Sequence, residues 1–297
     1  GPLGQGLAMA VGMALAERLL AAEFNREGFP LVNHYTYAFA GDGCLMEGVS
    51  QEACSLAGAL KLGKLVVFYD DNGISIDGEV KAWMPDDTPE RFAACGWHVI
   101  RDVDGHDGEA LDAAITLARS VQDKPSLVCC KTIIGYGSPN KSGSADCHGS
   151  PLGEAECAAT RILLGWEAEP FVIPEDVRAA WDCRARGAEL EAAWNDLHAR
   201  YAASYPELAA EFDRRMAGNA PEAWAAAAAD AISQAAAGKP RPDKGVATRI
   251  ASRNTLDVIA PALPELFGGS ADLTGSVGTW HKHSERVTGE NPRGNYL

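Results

Sequence analysis

The stretch from Gly41 to Asn72 constrains this chain more than any other. Two short apolar runs, Tyr37-Ala38-Phe39-Ala40 and Leu65-Val66-Val67-Phe68-Tyr69, each end in acidic and amide residues. Gly41-Asp42-Gly43 follows the first and Asp70-Asp71-Asn72 the second. Apolar runs separated by a helix-length segment read as buried parallel strands. In open α/β sheets, ligands bind outside the carboxyl ends of the strands. An aspartate after one strand and an asparagine after a later one therefore predict a shared site for one hard cation held through oxygen. Mg2+ is such a cation, and it shares its shell among a few protein groups, phosphates and water. Glycines flanking Asp42 let the backbone approach a phosphate at the start of the next helix. These residues predict a site for a magnesium-bound diphosphate.

The rest of the chain supports the same architecture. A strand over 35–40, a helix from about Glu47 to Lys61 and a strand over 65–69 are followed by a short helix over 89–95. A strand over 97–101, a helix over 108–121 and a strand over 126–134 come next. This alternation predicts an α/β fold with a doubly wound, mostly parallel sheet and flanking helices. Ahead of it, residues 7–15 read as a helix apolar nearly all round and hence buried. Residues 135–151 form a loop longer than structural connections need, and it carries His148. Residues 153–216 are helical in pattern, with Trp181, Leu190, Trp194, Leu197 and Tyr201 spaced as packing residues. The expected domains are 1–216, a helical linker over 217–245 whose end, 238–245, is rich in Gly, Pro and Lys, and the start of a second α/β domain over 246–297. In that last part Leu266-Phe267 reads as a short strand ending in the Gly268–Leu273 turn.

Composition narrows the function. The 297 residues are 46% hydrophobic, enough for real cores, and carry a net charge of −15, which argues against nonspecific nucleic-acid binding. No apolar run approaches the roughly 20 residues that span a bilayer, so no membrane association is expected. The eight cysteines include no CxxC pair. They read as buried free thiols of a reducing, cytoplasmic setting rather than zinc ligands. With no initiator Met, and an end soon after the second domain begins, the chain reads as a segment of a longer polypeptide.

Gly41-Asp42-Gly43, 28 further residues and then Asn72 have the form of the thiamine-diphosphate-enzyme motif. The surroundings are more specific and resemble transketolase. They are Gly1-Pro2-Leu3-Gly4-Gln5-Gly6, Gly41-Asp42-Gly43-Cys44-Leu45-Met46-Glu47-Gly48, and Tyr69-Asp70-Asp71-Asn72-Gly73-Ile74-Ser75-Ile76-Asp77-Gly78. Lys131-Thr132-Ile133-Ile134-Gly135-Tyr136-Gly137-Ser138, His148-Gly149-Ser150-Pro151-Leu152-Gly153 and Gly268-Gly269-Ser270-Ala271-Asp272-Leu273 extend the likeness over essentially the whole chain. It begins partway into the family's diphosphate-binding domain and ends early in its pyrimidine-binding domain.

The resemblance implies transfer of a two-carbon ketol unit between sugar phosphates by a homodimer, with thiamine diphosphate and Mg2+ as cofactors and Ca2+ or Mn2+ as possible substitutes for the metal. It implies that Asp42, the Asn72 side chain and the Ile74 carbonyl ligate the metal. Gly43 would lie against the diphosphate, while Leu3, Ile76 and Ile134 wall the cofactor rings. His148 would be the catalytic histidine near the diphosphate and the incoming sugar. Arg249 and Ser276 would bind the substrate phosphate, and Asp272 would touch the cofactor of the neighbouring subunit. Glu47 and Glu52 would be acids at the subunit interface. The other histidines, His106 among them, read as structural or exposed. One departure stands out: Ala145 occupies a position where the family often has a second histidine. The ring-activating glutamate is expected beyond Leu297, so the chain alone is expected to be inactive. Dihydroxyacetone synthase, another thiamine-diphosphate enzyme, or a non-catalytic subunit that needs a partner chain are the alternatives.

Overall fold

The computed structural model describes residues 2–237 and 245–297. They form two compact units, Gly1–Arg18 with Asn33–Leu190, and Leu19–Val32 with Glu191–Leu297. The Gly/Pro/Lys-rich stretch expected as a linker falls, up to Lys244, outside the described residues.

The first unit is built on a four-stranded parallel sheet. Helix α1 (Gln5–Phe24) precedes β1 (Thr36–Gly41), and the short α2 (Asp42–Met46) and α3 (Gly48–Ala59) lead to β2 (Leu65–Asp71). A small antiparallel ribbon, β3 (Ile74–Ser75) with β4 (Gly78–Glu79), follows. Then come α4 (Thr88–Ala94), β5 (His98–Asp104), α5 (Gly108–Ser120) and β6 (Ser126–Lys131). The spatial order is β1-β2-β6-β5. The chain thus jumps from β2 to the far edge and returns to the middle, which makes β2 and β6 neighbours.

That placement explains their sequences. A central parallel strand is covered on both faces, so it is apolar without alternation. Residues 65–69 of β2 and 126–130 of β6 are all buried. Val66, Phe68, Val128 and Cys130 pack with Val103 against Ala114 and Ala118 of α5. Those alanines are four apart, on one helical face. The side chain of Asp107 caps α5 by accepting from the Glu109 and Ala110 N–H groups. Glu17 of α1, only 4% exposed, is neutralised by Lys64 at 2.5 Å.

Several boundaries differ from the sequence reading. The helix expected from about Glu47 to Lys61 is α3, and a separate short helix, α2, precedes it where a Gly-Asp-Gly turn was expected. The last strand ends at Lys131, so 132–134 leave the sheet rather than extend it. Trp97 precedes β5 and donates its indole N–H to the Cys54 carbonyl at 2.8 Å. Helix α1 buries Leu7, Ala10, Val11, Ala14 and Leu15, yet Met9 and Met13 are 62% and 59% exposed, so only one stripe of it is covered. Of the eight thiols expected to be buried, Cys54, Cys129 and Cys130 are; Cys44, Cys95 and Cys147 are half-buried, and Cys157 and Cys183 are exposed.

Beyond β6 lie α6 (Glu154–Leu163), α7 (Glu175–Trp181) and α8 (Arg184–Ser204). Trp181 is not the packing residue its spacing implied; it closes α7, whereas Trp194 and Tyr201 lie on α8. The helix breaks between them at Asp182–Cys183, and Trp181 is left 82% exposed. Leu190 is likewise exposed. The second unit packs Tyr201 and α9 (Pro206–Met216) around Phe24, Leu31, Val32, Ala209 and Phe212. Tyr201 is fully buried, and its hydroxyl donates to the Phe24 carbonyl at 2.7 Å. Then follow α10 (Trp224–Ala236), α11 (Thr248–Ile259) and α12 (Thr274–Val277). Leu266-Phe267 is not a strand; Gly268 instead makes an isolated bridge with Tyr296.

Candidate functional site

The carboxyl ends of β1, β2 and β6 open on a cavity of about 770 Å3. The register brings them level: Gly41 pairs with Asp70, and Asp71 with Lys131. Asp42, the first residue of α2, therefore stands above the end of β2. It is 3% exposed. The Tyr69 hydroxyl donates to its Oδ1 at 2.5 Å, and the Gly73 N–H to its Oδ2 at 3.1 Å. Burial pushes the Asp42 carboxyl above the usual range, the Tyr69 hydrogen bond pulls it back, and the charge of Asp71 pushes it up again. Burial, reinforced by the hydrogen bond to Asp42, also holds the Tyr69 phenol protonated.

The neighbouring acids have partners of their own. Lys131 Nζ lies 2.5 Å from Asp71, and the Thr132 hydroxyl donates to Asp70. Asn72 Nδ2 donates to Asp70 at 3.2 Å, and Asn72 Oδ1 accepts from the Ile74 N–H at 2.9 Å. Asp42 is thus a buried carboxylate met by neutral donors and flanked by two more acids. A buried charge without a counter-charge is costly, and a cation at this point would offset it. The oxygen donors at hand are the Asp42 carboxylate, the Asn72 amide and the Ile74 carbonyl, a hard set suited to Mg2+ and unsuited to zinc. Among the described residues no three His, Cys, Asp or Glu side chains cluster as a metal site. Gly43 adds room for such a group, since a Cβ there would come within 3.3 Å of Leu3 Cδ1.

Eight of the residues singled out from the sequence line this one cavity. Leu3, Asp42, Gly43 and Asn72 are four of them. Ile74, Ile76, Ile134 and His148 complete the set. Leu3 and Ile76 are 51% and 70% exposed, so the wall has apolar surface left to cover. His148 follows a short turn over Ala145–Cys147 capped by Ser144, and its N–H donates to the Ala145 carbonyl at 2.9 Å. Glu47 stands at the N-terminal boundary of α3 without a side-chain cap bond and Glu52 lies within the helix, both exposed. Arg249, Asp272 and Ser276 belong to the second unit and are exposed. There the end of α12 at Gly278 meets the carbonyl of Arg249 at the start of α11. Asp272 holds a left-handed backbone, φ 67°.

Sequence reasoning missed Tyr69, Thr132 and Phe39. Phe39 is 82% exposed, stacks on Phe68 at 5.1 Å and lines the cavity. An aromatic in a strand reads as core, and nothing local marks it otherwise. Tyr69 had one signal, its place as the last apolar residue before the acidic turn.

A parallel α/β sheet whose strand ends present oxygen donors beside an apolar-walled cavity defines a ligand-binding α/β domain. Residues 1–221 match the family model of the transketolase thiamine diphosphate binding domain. The chain belongs to the transketolase family. It is 60% identical over its whole length to a chromosomal transketolase of Cupriavidus necator and 56% identical to transketolase 1 of Escherichia coli. It spans 44% of the length of each. The solved transketolase of Pichia stipitis, in complex with sedoheptulose-7-phosphate, superposes with a TM-score of 0.90 at 41% identity, covering all of this chain and 44% of that one. No helix among the described residues is long and apolar enough to cross a membrane.

Proposed function

We propose that this chain carries the thiamine diphosphate and magnesium anchor of a transketolase, which moves a two-carbon ketol unit from a ketose phosphate to an aldose phosphate. The observation that carries the reading is the cavity itself: buried Asp42, Asn72 and Ile74 stand beside an apolar wall and a single histidine, His148. Asp42, Asn72 Oδ1 and the Ile74 carbonyl would hold Mg2+, with Ca2+ or Mn2+ satisfying the same oxygen set. Gly43 would admit the diphosphate, and Leu3, Ile76 and Ile134 would exclude water from the rings. When bound, the cofactor supplies an electron sink for breaking a carbon–carbon bond.

His148 would donate to the diphosphate or the incoming sugar and move a proton at the substrate oxygen. Arg249 and Ser276 would receive a substrate phosphate, for which a planar guanidinium is well matched. Asp272 would meet the cofactor of the other subunit of a homodimer, with Glu47 and Glu52 at the interface. Sugar phosphates as substrates are supported by the Pichia stipitis complex. The free thiols are in keeping with a cytoplasmic enzyme of the pentose phosphate pathway. The match to residues 1–221 supports the diphosphate-binding domain proposed over 1–216; the rest of the proposed organisation is a helical linker over 217–245 and a pyrimidine-binding domain beginning at 246.

Titration calorimetry with thiamine diphosphate and Mg2+ tests the anchor. Asp42→Ala is expected to weaken binding by about a hundredfold or more, because it removes a charged ligand from a buried site. Cofactor binding that survives chelation of the metal, or is unchanged in Asp42→Ala, would sink the assignment.

A further inference from the structure

The cavity wall at Ile133–Ile134 is held from outside by a histidine that does not line it. His106 sits in the turn after β5, where its N–H donates to Asp104 Oδ1 at 2.9 Å. Its Nε2 accepts the backbone N–H of Ile133 at 2.9 Å. An N–H can be accepted only by an unprotonated ring nitrogen, so the ring proton is fixed on Nδ1. The imidazole lies flat on the Tyr136 ring, centroids 3.9 Å apart and planes 17° from parallel.

The approach is built into the backbone. Gly105 donates its N–H to the Lys131 carbonyl at 2.9 Å, and a Cβ on Gly105 would overlap the Thr132 side chain. The turn after β5 is thereby pressed against the segment that leaves β6. That segment is also tied at Thr132, whose hydroxyl donates to Asp70 and whose N–H donates to the Asp71 carbonyl at 3.5 Å, and downstream by Tyr136 N–H on the Ile133 carbonyl at 3.1 Å and Gly143 N–H on the Ile134 carbonyl at 2.8 Å. His106 accepts the Ile133 N–H itself, at the residue where the chain turns from sheet into cavity wall.

We propose that His106 is a positioning residue for the cofactor site, acting through the Ile133 backbone and the Tyr136 ring to fix the Ile133–Ile134 wall. The inference rests on the cavity being the thiamine diphosphate site. A side chain that only filled space would be replaced equally well by any residue of its size. A positioning acceptor is replaced by another acceptor of the same reach.

The test is the dissociation constant of thiamine diphosphate at saturating Mg2+, measured on the intact polypeptide for wild type, His106→Ala, His106→Gln and Tyr136→Ala. His106→Ala is expected to raise it about threefold to tenfold, the equivalent of one hydrogen bond. His106→Gln, whose amide oxygen reaches about as far as Nε2, is expected to restore it. Tyr136→Ala should weaken binding in the same direction and gives the readout if His106→Ala fails to fold. Binding by His106→Ala equal to wild type, or His106→Gln as weak as His106→Ala, would overturn the proposal. Asp42→Ala separates the two readings. Wild type that binds no cofactor would overturn the site itself. Wild-type binding lost in Asp42→Ala and untouched in every His106 and Tyr136 variant would overturn only the role of His106.

Discussion

Asp42 shows how a site is set at the scale of single residues. Its carboxylate is buried, and its two hydrogen bonds come from a phenol and a backbone amide, neither of them charged. Tyr69→Phe would leave Oδ1 buried without its donor. The expected loss is about 1–3 kcal/mol of stability, the cost of an unmade buried hydrogen bond. It should be read by urea unfolding in the absence of divalent cations. Excess Mg2+ should recover part of it, because a bound cation takes over the neutralisation of Asp42. Equal stability of Tyr69→Phe and wild type without cation would show that the bond carries nothing. Asp42 and Asn72 were legible in the sequence because their roles follow from fixed spacing at two strand ends. Tyr69 and His106 were not. Tyr69 meets Asp42 only through the pairing of Gly41 with Asp70, and His106 meets Ile133 only because β5 lies beside β6. A local window of sequence contains neither pairing.

At the scale of elements, the alternation of strand and helix was readable and the order of strands was not. Four parallel strands follow from apolar runs with helices between them. Nothing in those runs says that β6 returns between β2 and β5. That return puts Thr132–Ile134 at the cavity instead of at a sheet edge. Helix starts were also displaced, since Gly41-Asp42-Gly43 reads as a turn while Asp42 in fact opens a helix of its own. Asp107, which the sequence reading did not single out, precedes Gly108-Glu109 and caps α5, whose Ala114 and Ala118 pack under the sheet. Replacing Asp107 with alanine removes the acceptor for two N–H groups and should cost about 1 kcal/mol. Asp107→Ser should retain most of the stability. Matched urea midpoints for the alanine variant and wild type would remove the cap from any account of this helix. The turn that carries His106 ends at this cap, so the alanine change is also expected to loosen the tie to Ile133.

For the molecule as a whole, the charge balance of −15 makes its carboxylates the groups that decide behaviour in acid. Each unit has its own core, and the second is bordered by a network of five charged side chains besides its apolar residues. Arg215 donates to Glu23 at 2.6 and 2.8 Å and to Glu211 at 2.7 Å. Arg214 joins Glu211 to Glu265. The hydrogen bonds from Arg214, with those from Arg215, hold the Glu211 carboxyl down at about 2 against an ordinary 4.5. The unfolded chain therefore takes up a proton at Glu211 as pH falls below 4.5, while the folded chain resists until about 2. Its contribution to stability is complete above 4.5 and is lost progressively as pH falls through about 2. Glu265 is lowered by the same arginine and adds to the loss in the same direction. Urea unfolding of wild type and Glu211→Gln at a series of pH values reads this directly. Wild type should be the more stable near neutrality, and the gap should close between about 4.5 and about 2. A gap that stayed constant across that window would mean the glutamate acts by packing its methylenes against Arg215, not by its charge. Arg215 also lies over the ring of Phe24, 5.2 Å from its centroid, so the network reaches the apolar core it borders.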